Sequence, residues 1–186
     1  AAQVQQGAKA DVFASADTDY PAELFKEGLV EKPRPFAANE LVIAVPADSG
    51  LASLSDLARP GTKIVIGDPS VPVGSYTQTV LDRLPQAERE AILANVRSEE
   101  PEVSSVIAKI EQGAADAGFV YVTDAKSAGD AVKAIAIPPA LQPEVAYAGA
   151  VVAGTGNQGE AEEFLAGLIE GEGAVDLKRA GFLPPP

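Results

Sequence analysis

Cysteine and histidine are both absent from these 186 residues. Without cysteine there can be no disulfide and no thiolate chemistry, and the redox compartment is left open. Without histidine the chain lacks the commonest general base, the commonest metal ligand and any Ser-His or Cys-His nucleophile pair. No stretch approaches the roughly 18 consecutive apolar residues of a membrane span. Basic residues are scarce as well: 14 Lys and Arg stand singly among 27 Asp and Glu, for a formal charge of −13. A duplex-binding surface needs a basic patch, so nucleic acid is not an expected partner. No Asp/Glu pair stands in a recognisable catalytic motif, and the chain is not expected to be an enzyme.

What is present is enough apolar material for a real core: 46% of the residues are hydrophobic. That suits one domain or two small ones. Apolar, β-rich runs at Asp11–Ala14, Leu41–Val45, Lys63–Ile66, Gly118–Val122, Val132–Ile137 and Ala146–Ala153 read as strands. Between them, Val103, Val106, Ile107 and Ile110 follow helical spacing, as do Ala161, Phe164, Leu165, Leu168 and Ile169. A last helix over about Gly173–Ala180 stops at Gly181 with Pro184 beyond. Strand–helix alternation predicts an α/β fold with a mainly parallel sheet. Gly154-Thr155-Gly156-Asn157-Gln158-Gly159 reads as a surface turn and Pro184-Pro185-Pro186 as a stiff tail.

Two helix starts stand out. One is Gly67-Asp68-Pro69-Ser70-Val71-Pro72-Val73-Gly74-Ser75-Tyr76-Thr77. Pro72 fixes φ and Gly74 permits close backbone approach, so N–H groups of Val73, Gly74 and Ser75 can converge on an anion. The bland alternative makes Ser75 an N-cap, with Tyr76, Val80, Leu81 and Leu84 facing the core. The other is Ser98-Glu99-Glu100-Pro101-Glu102-Val103, with Pro101 expected near N1, Glu102 near N2 and Val103 near N3. First-turn N–H groups have no partner inside a helix, and two such ends facing one site would bind an anion by dipoles rather than charges. Glu99, Glu100 and Glu102 could instead simply complement the helix dipole; beside a dianion they are expected to turn outward to solvent. An acidic protein can still hold an anion, because surface carboxylates beyond about 8 Å are largely screened at physiological salt.

These stretches closely resemble the molybdate-binding proteins of bacterial ABC transporters. So do Ala10-Asp11-Val12-Phe13-Ala14-Ser15-Ala16-Asp17, Asn39-Glu40-Leu41-Val42-Ile43-Ala44-Val45-Pro46 and Gly118-Phe119-Val120-Tyr121-Val122-Thr123-Asp124. The resemblance runs from about Gln6 to Pro184. It implies a type II periplasmic-binding fold of two α/β lobes joined by two crossing strands. On that template residues 1–44 and 146–186 form lobe I and residues 45–145 lobe II, with Leu41–Val45 and Ala146–Val151 as the crossovers and lobe closure as the switch. It also implies that the main-chain N–H groups of Val73 and Val103 and the Tyr121 hydroxyl bind a tetrahedral oxyanion, molybdate or tungstate. Gly74 and Ser75 are weaker candidates, and Tyr147 a weaker second tyrosine. A lone tyrosine at a strand end is otherwise a half-buried core residue. Asp124 is expected to cap the next helix, Asp17 to cap or turn, and Ser15 to line the site without a role in binding.

The implied role is that of an extracytoplasmic solute-binding component, periplasmic or lipid-anchored. It would be a monomer without cofactor or directly bound metal, delivering its oxyanion to a transporter permease. Family members begin with a strand–helix–strand segment whose two small-residue loops supply further donors. This sequence opens after them, at Ala1-Ala2-Gln3, with no signal segment, and roughly forty residues of the family pattern lie outside it. Two alternatives remain: a protein binding another anion such as sulfate or phosphate, or the oxyanion-sensing effector domain of a regulator. An organic carboxylate would call for an Arg clamp, and Arg34, Arg59, Arg83, Arg89, Arg97 and Arg179 all lie outside the proposed loops.

Overall fold

The computed structural model describes residues 1–186. In chain order the elements are α1 (Ala2–Gln5), β1 (Val12–Ser15), α2 (Asp19–Lys26), β2 (Arg34–Asn39), β3 (Leu41–Pro46), β4 (Ile64–Gly67), α3 (Pro72–Asp82), α4 (Gln86–Ala94) and β5 (Val96–Glu100). They continue as α5 (Val103–Glu111), β6 (Ala117–Tyr121), α6 (Val122–Ser127), β7 (Val132–Ala136), β8 (Val145–Val151), α7 (Gln158–Glu170) and α8 (Glu172–Ala180). Each of the six expected strands is present, shifted by a residue or two at its ends. Two further strands, β2 and β5, were not anticipated.

The chain divides into two units, one of residues 1–39 and 145–186 and the other of residues 40–144. It passes between them at Asn39–Glu40 and again at Glu144–Val145. Each of the two runs expected as crossovers pairs within a single sheet: Leu41–Pro46 in the second unit and Val145–Val151 in the first.

The first unit carries a three-stranded sheet in the order β1-β8-β2, antiparallel throughout. Its central strand β8 is buried along its whole length, as a strand with neighbours on both edges and helices over it must be. One cluster joins Val4, Leu24, Val30, Ala150 and Val152; another joins Val151 to Ala161 and Leu165 of α7. Phe164, expected on that apolar face, is instead 56% exposed.

The second unit carries a five-stranded sheet in the order β5-β4-β6-β3-β7. Strands β5, β4 and β6 run parallel, whereas β3 lies antiparallel to both β6 and β7. The expectation of a mainly parallel sheet therefore holds only for these three strands. Helix α5 lays Val106 and Ile110 on Val42, Val65 and Val120, with Val103 and Ile107 at the margin. The i, i+3, i+4, i+7 spacing thus packs onto the sheet, and each fully buried aliphatic contributes about 1.5–3 kcal/mol.

Candidate functional site

Because β5, β4 and β6 are adjacent and parallel, their carboxyl ends share one edge of the sheet, where open α/β sheets bind ligands. Gly67 ends β4 and leads to α3; Glu100 ends β5 and leads to α5; Tyr121 ends β6 and opens α6. Val73, Gly74, Val103 and Tyr121 are thereby brought to one sheet edge within one unit.

Sterics shape the first loop. A Cβ on Gly67 would lie 2.5 Å from Val73 Cγ1 and 2.8 Å from the Gly74 nitrogen. The helix start is therefore seated directly on the strand end, and only glycine fits there. Val71 is the N-cap in extended conformation and Pro72 occupies N1. That places Val73 at N2 and Gly74 at N3, where an N–H has no acceptor within the helix. Ser75 is not the cap: its N–H donates to the Val71 carbonyl at 3.0 Å, closing the first turn. Its main chain is thus taken by the helix, because the helix begins one turn earlier than a Ser75 cap would require, and its side chain is exposed. Asp68 stiffens the turn, its Oδ1 accepting the Ser70 N–H at 2.8 Å and the Ser70 hydroxyl at 2.5 Å. These bonds hold its carboxyl below the usual aspartate range.

The second start differs in register from the expectation. Residues 98–100 belong to β5 rather than to a loop, and Glu102 is the extended N-cap, so Val103 is N1 and not N3. Pro101 cannot extend the ladder and ends the strand. Val103 still has a first-turn N–H. Gly118 lets the helix sit close: a Cβ there would meet Val106 Cγ1 at 2.6 Å and the Val65 carbonyl oxygen at 2.9 Å. Glu99 and Glu102 face solvent as expected. Glu100 does not, being 7% exposed, and it pairs with Lys109 Nζ. The two helix starts are tied together by the Asp68 N–H, which donates to the Glu100 carbonyl at 2.8 Å.

Tyr121 is buried, and its ring meets that of Tyr76 edge-on, with centroids 6.4 Å apart. Its N–H donates to Asp124 Oδ2 at 3.0 Å, so Asp124 caps α6 from the third position. Burial pushes the Asp124 carboxyl above the ordinary range, against the lowering pull of that hydrogen bond. Sequence reasoning named Tyr121 as a candidate and anticipated the capping of α6 by Asp124. It missed Tyr76 as the ring that steadies Tyr121, and Lys109 as the partner of Glu100.

The remaining expected residues lie in the first unit. Asp17 Oδ1 accepts the Ser15 hydroxyl at 2.9 Å and the Tyr20 N–H at 3.2 Å, so it serves the first turn of α2 from one residue before the N-cap, Thr18. Burial, the largest influence, raises the Asp17 carboxyl. Tyr147 sits edge-on to Phe36 and Phe182, and its hydroxyl accepts Asn39 Nδ2 at 3.2 Å.

Residues 1–183 match the bacterial extracellular solute-binding proteins. The chain is 39% identical over 188 residues to the molybdate-binding protein ModA of Mycobacterium tuberculosis, spanning 100% of this chain and 70% of that protein. Among solved structures, the periplasmic molybdate-binding protein of Azotobacter vinelandii superposes with a TM-score of 0.81 at 25% identity, over 100% of this chain and 83% of that one. The substrate-binding domain of a putative molybdenum ABC transporter from Clostridium difficile gives 0.75 at 26% identity, over 100% and 81%. The chain belongs to the bacterial extracellular solute-binding proteins, a family of binding proteins and not of enzymes, in the group that includes the ModA proteins.

Proposed function

We propose that this chain captures molybdate outside the cytoplasm and delivers it to the permease of an ABC importer. The oxyanion is held by the N–H groups of Val73, Gly74 and Val103 and by the Tyr121 hydroxyl. The observation that carries this reading is the meeting of two helix starts and Tyr121 at the carboxyl ends of three adjacent parallel strands. Such a site offers donors and no built-in positive charge, which suits a fully ionised dianion and disfavours a protonated one. Tungstate, of the same shape, charge and similar size, is bound as well. Sulfate is smaller, and a rigid donor shell set for molybdate excludes it by fit. The 39% identity to a molybdate-binding relative supports the choice of ligand.

Calorimetric titration with molybdate, tungstate, sulfate and phosphate tests the reading. One-to-one binding of the first two, with sulfate and phosphate far weaker, is the expected result. Tight sulfate or phosphate binding would replace molybdate with that anion, and no binding of any of the four would remove the oxyanion site.

A further inference from the structure

Of the three glutamates around the second helix start, two face water and one does not. Glu99 and Glu102 are exposed, and solvent and salt screen their repulsion of a bound anion. Glu100 ends β5 only three residues before Val103, and its side chain is 9% exposed. A buried charge is screened far less, so an ionised carboxylate there acts on any anion held at the edge of β5 and β4. Its ion-pair partner is Lys109, which stands on α5 and is 38% exposed. Lys109 Nζ donates to Glu100 Oε1 and, at 3.0 Å, to the Ser98 hydroxyl. These contacts hold Glu100 ionised, below its usual range. The main chain of Glu100 meanwhile accepts the Asp68 N–H, so this residue belongs to the frame of both helix starts.

We propose that Lys109 is an affinity-determining residue of the oxyanion site: it touches no ligand, and cancels the field that the buried Glu100 carboxylate would otherwise impose on a bound dianion. A part-buried ion pair is a weak source of stability. Its value here is electrostatic neutrality beside an anion site built from dipoles. This inference rests on the oxyanion reading and adds to it a charge balance that the donor set does not contain.

A charge role and a bracing role predict opposite signs. Glu100→Gln keeps an amide oxygen for Lys109 Nζ while removing the negative charge. If the field matters, E100Q binds molybdate more tightly than wild type, by roughly threefold or more at low salt, and the gain shrinks as salt is raised. Lys109→Gln leaves the carboxylate uncompensated and weakens binding, and E100Q/K109Q restores it toward the wild-type value. Since K109Q strands a buried charge and can unfold the chain, E100Q and the double variant suffice without it. Calorimetry with sodium molybdate at low and high sodium chloride, with thermal unfolding alongside, reads all of this. Weaker or unchanged binding by E100Q, or a gain indifferent to salt, would overturn the role of Lys109 and leave the oxyanion site standing. Absence of molybdate binding by the wild type would instead overturn the site itself.

Discussion

A Cβ placed on Gly74 would lie 1.9 Å from the carbonyl oxygen of Asp68. That distance is far inside any real contact, and the Gly67 carbonyl oxygen, at 2.6 Å from the same point, closes the other route of escape. The close seating of α3 on the end of β4 therefore depends on a hydrogen at this position. Gly74→Ala is expected to push the helix start off the strand, costing about 1–3 kcal/mol as overpacking does. It should also remove molybdate binding. Thermal unfolding and titration of the same preparation check both; normal binding by G74A would mean the loop is not part of the site.

Tyr121→Phe keeps the ring against Tyr76 and deletes only the hydroxyl. A desolvated oxyanion oxygen then loses a donor, and binding is expected to weaken by about 1–3 kcal/mol with little change in fold. Calorimetric titration of Y121F measures it, and an unchanged dissociation constant would take Tyr121 out of the site.

Main-chain donation at Val73 is separable from its side chain. Val73→Ala empties part of a buried contact with Gly67 and lowers stability by about 1–2 kcal/mol, but it keeps the N–H and so the affinity. Val73→Pro removes an N–H that has no acceptor within the helix, though it also strains Pro72 before it; with thermal unfolding to separate the two effects, it should lose far more affinity than V73A. Equal losses would show that the side chain and not the dipole matters.

Two carboxyl groups near the site should respond to pH with opposite signs. Burial raises the Asp124 carboxyl above the ordinary aspartate range, so the folded chain keeps a proton that the unfolded chain has released. Stability from this group therefore falls as pH rises through that interval. Asp124→Asn, which retains an acceptor for the Tyr121 N–H, is expected to flatten this trend and to be no less stable at neutral pH. Glu100 runs the other way. Its hydrogen bond from Lys109 lowers the carboxyl below 4.5, giving stability that is present above that value and lost as pH falls through the folded one. Denaturant unfolding from acid to neutral pH separates the two, and a D124N profile parallel to wild type would remove the desolvation argument.

The legible parts of this fold were those with a strong apolar signal. The α5 spacing and the six apolar strands were readable because each buries a face or a whole run. Strands β2 and β5 were not, for a shared physical reason: both lie at the edge of their sheets. Arg34 and Pro35 in β2, and Arg97, Ser98 and Glu99 in β5, are polar or lack a donor, which an edge strand tolerates and a central one does not. The same polarity hid the true start of α5, because Glu99 and Glu100 read as loop when they are strand. Val73, Gly74, Val103 and Tyr121 were all named from the sequence, through local chemistry joined to a family resemblance. The Glu100–Lys109 pair could not be: its partners stand nine positions apart, and only the packing of β5 against α5 brings them together.

The central claim is that main-chain N–H groups at two helix starts hold the oxyanion, and amide proton shifts report on it most directly. In nitrogen-15-labelled protein titrated with molybdate, the Val73, Gly74 and Val103 amide protons should move downfield together and saturate at one equivalent, as hydrogen bonding to a dianion requires. Saturable binding that leaves these three amides unmoved while others shift would place the ligand elsewhere and contradict the account.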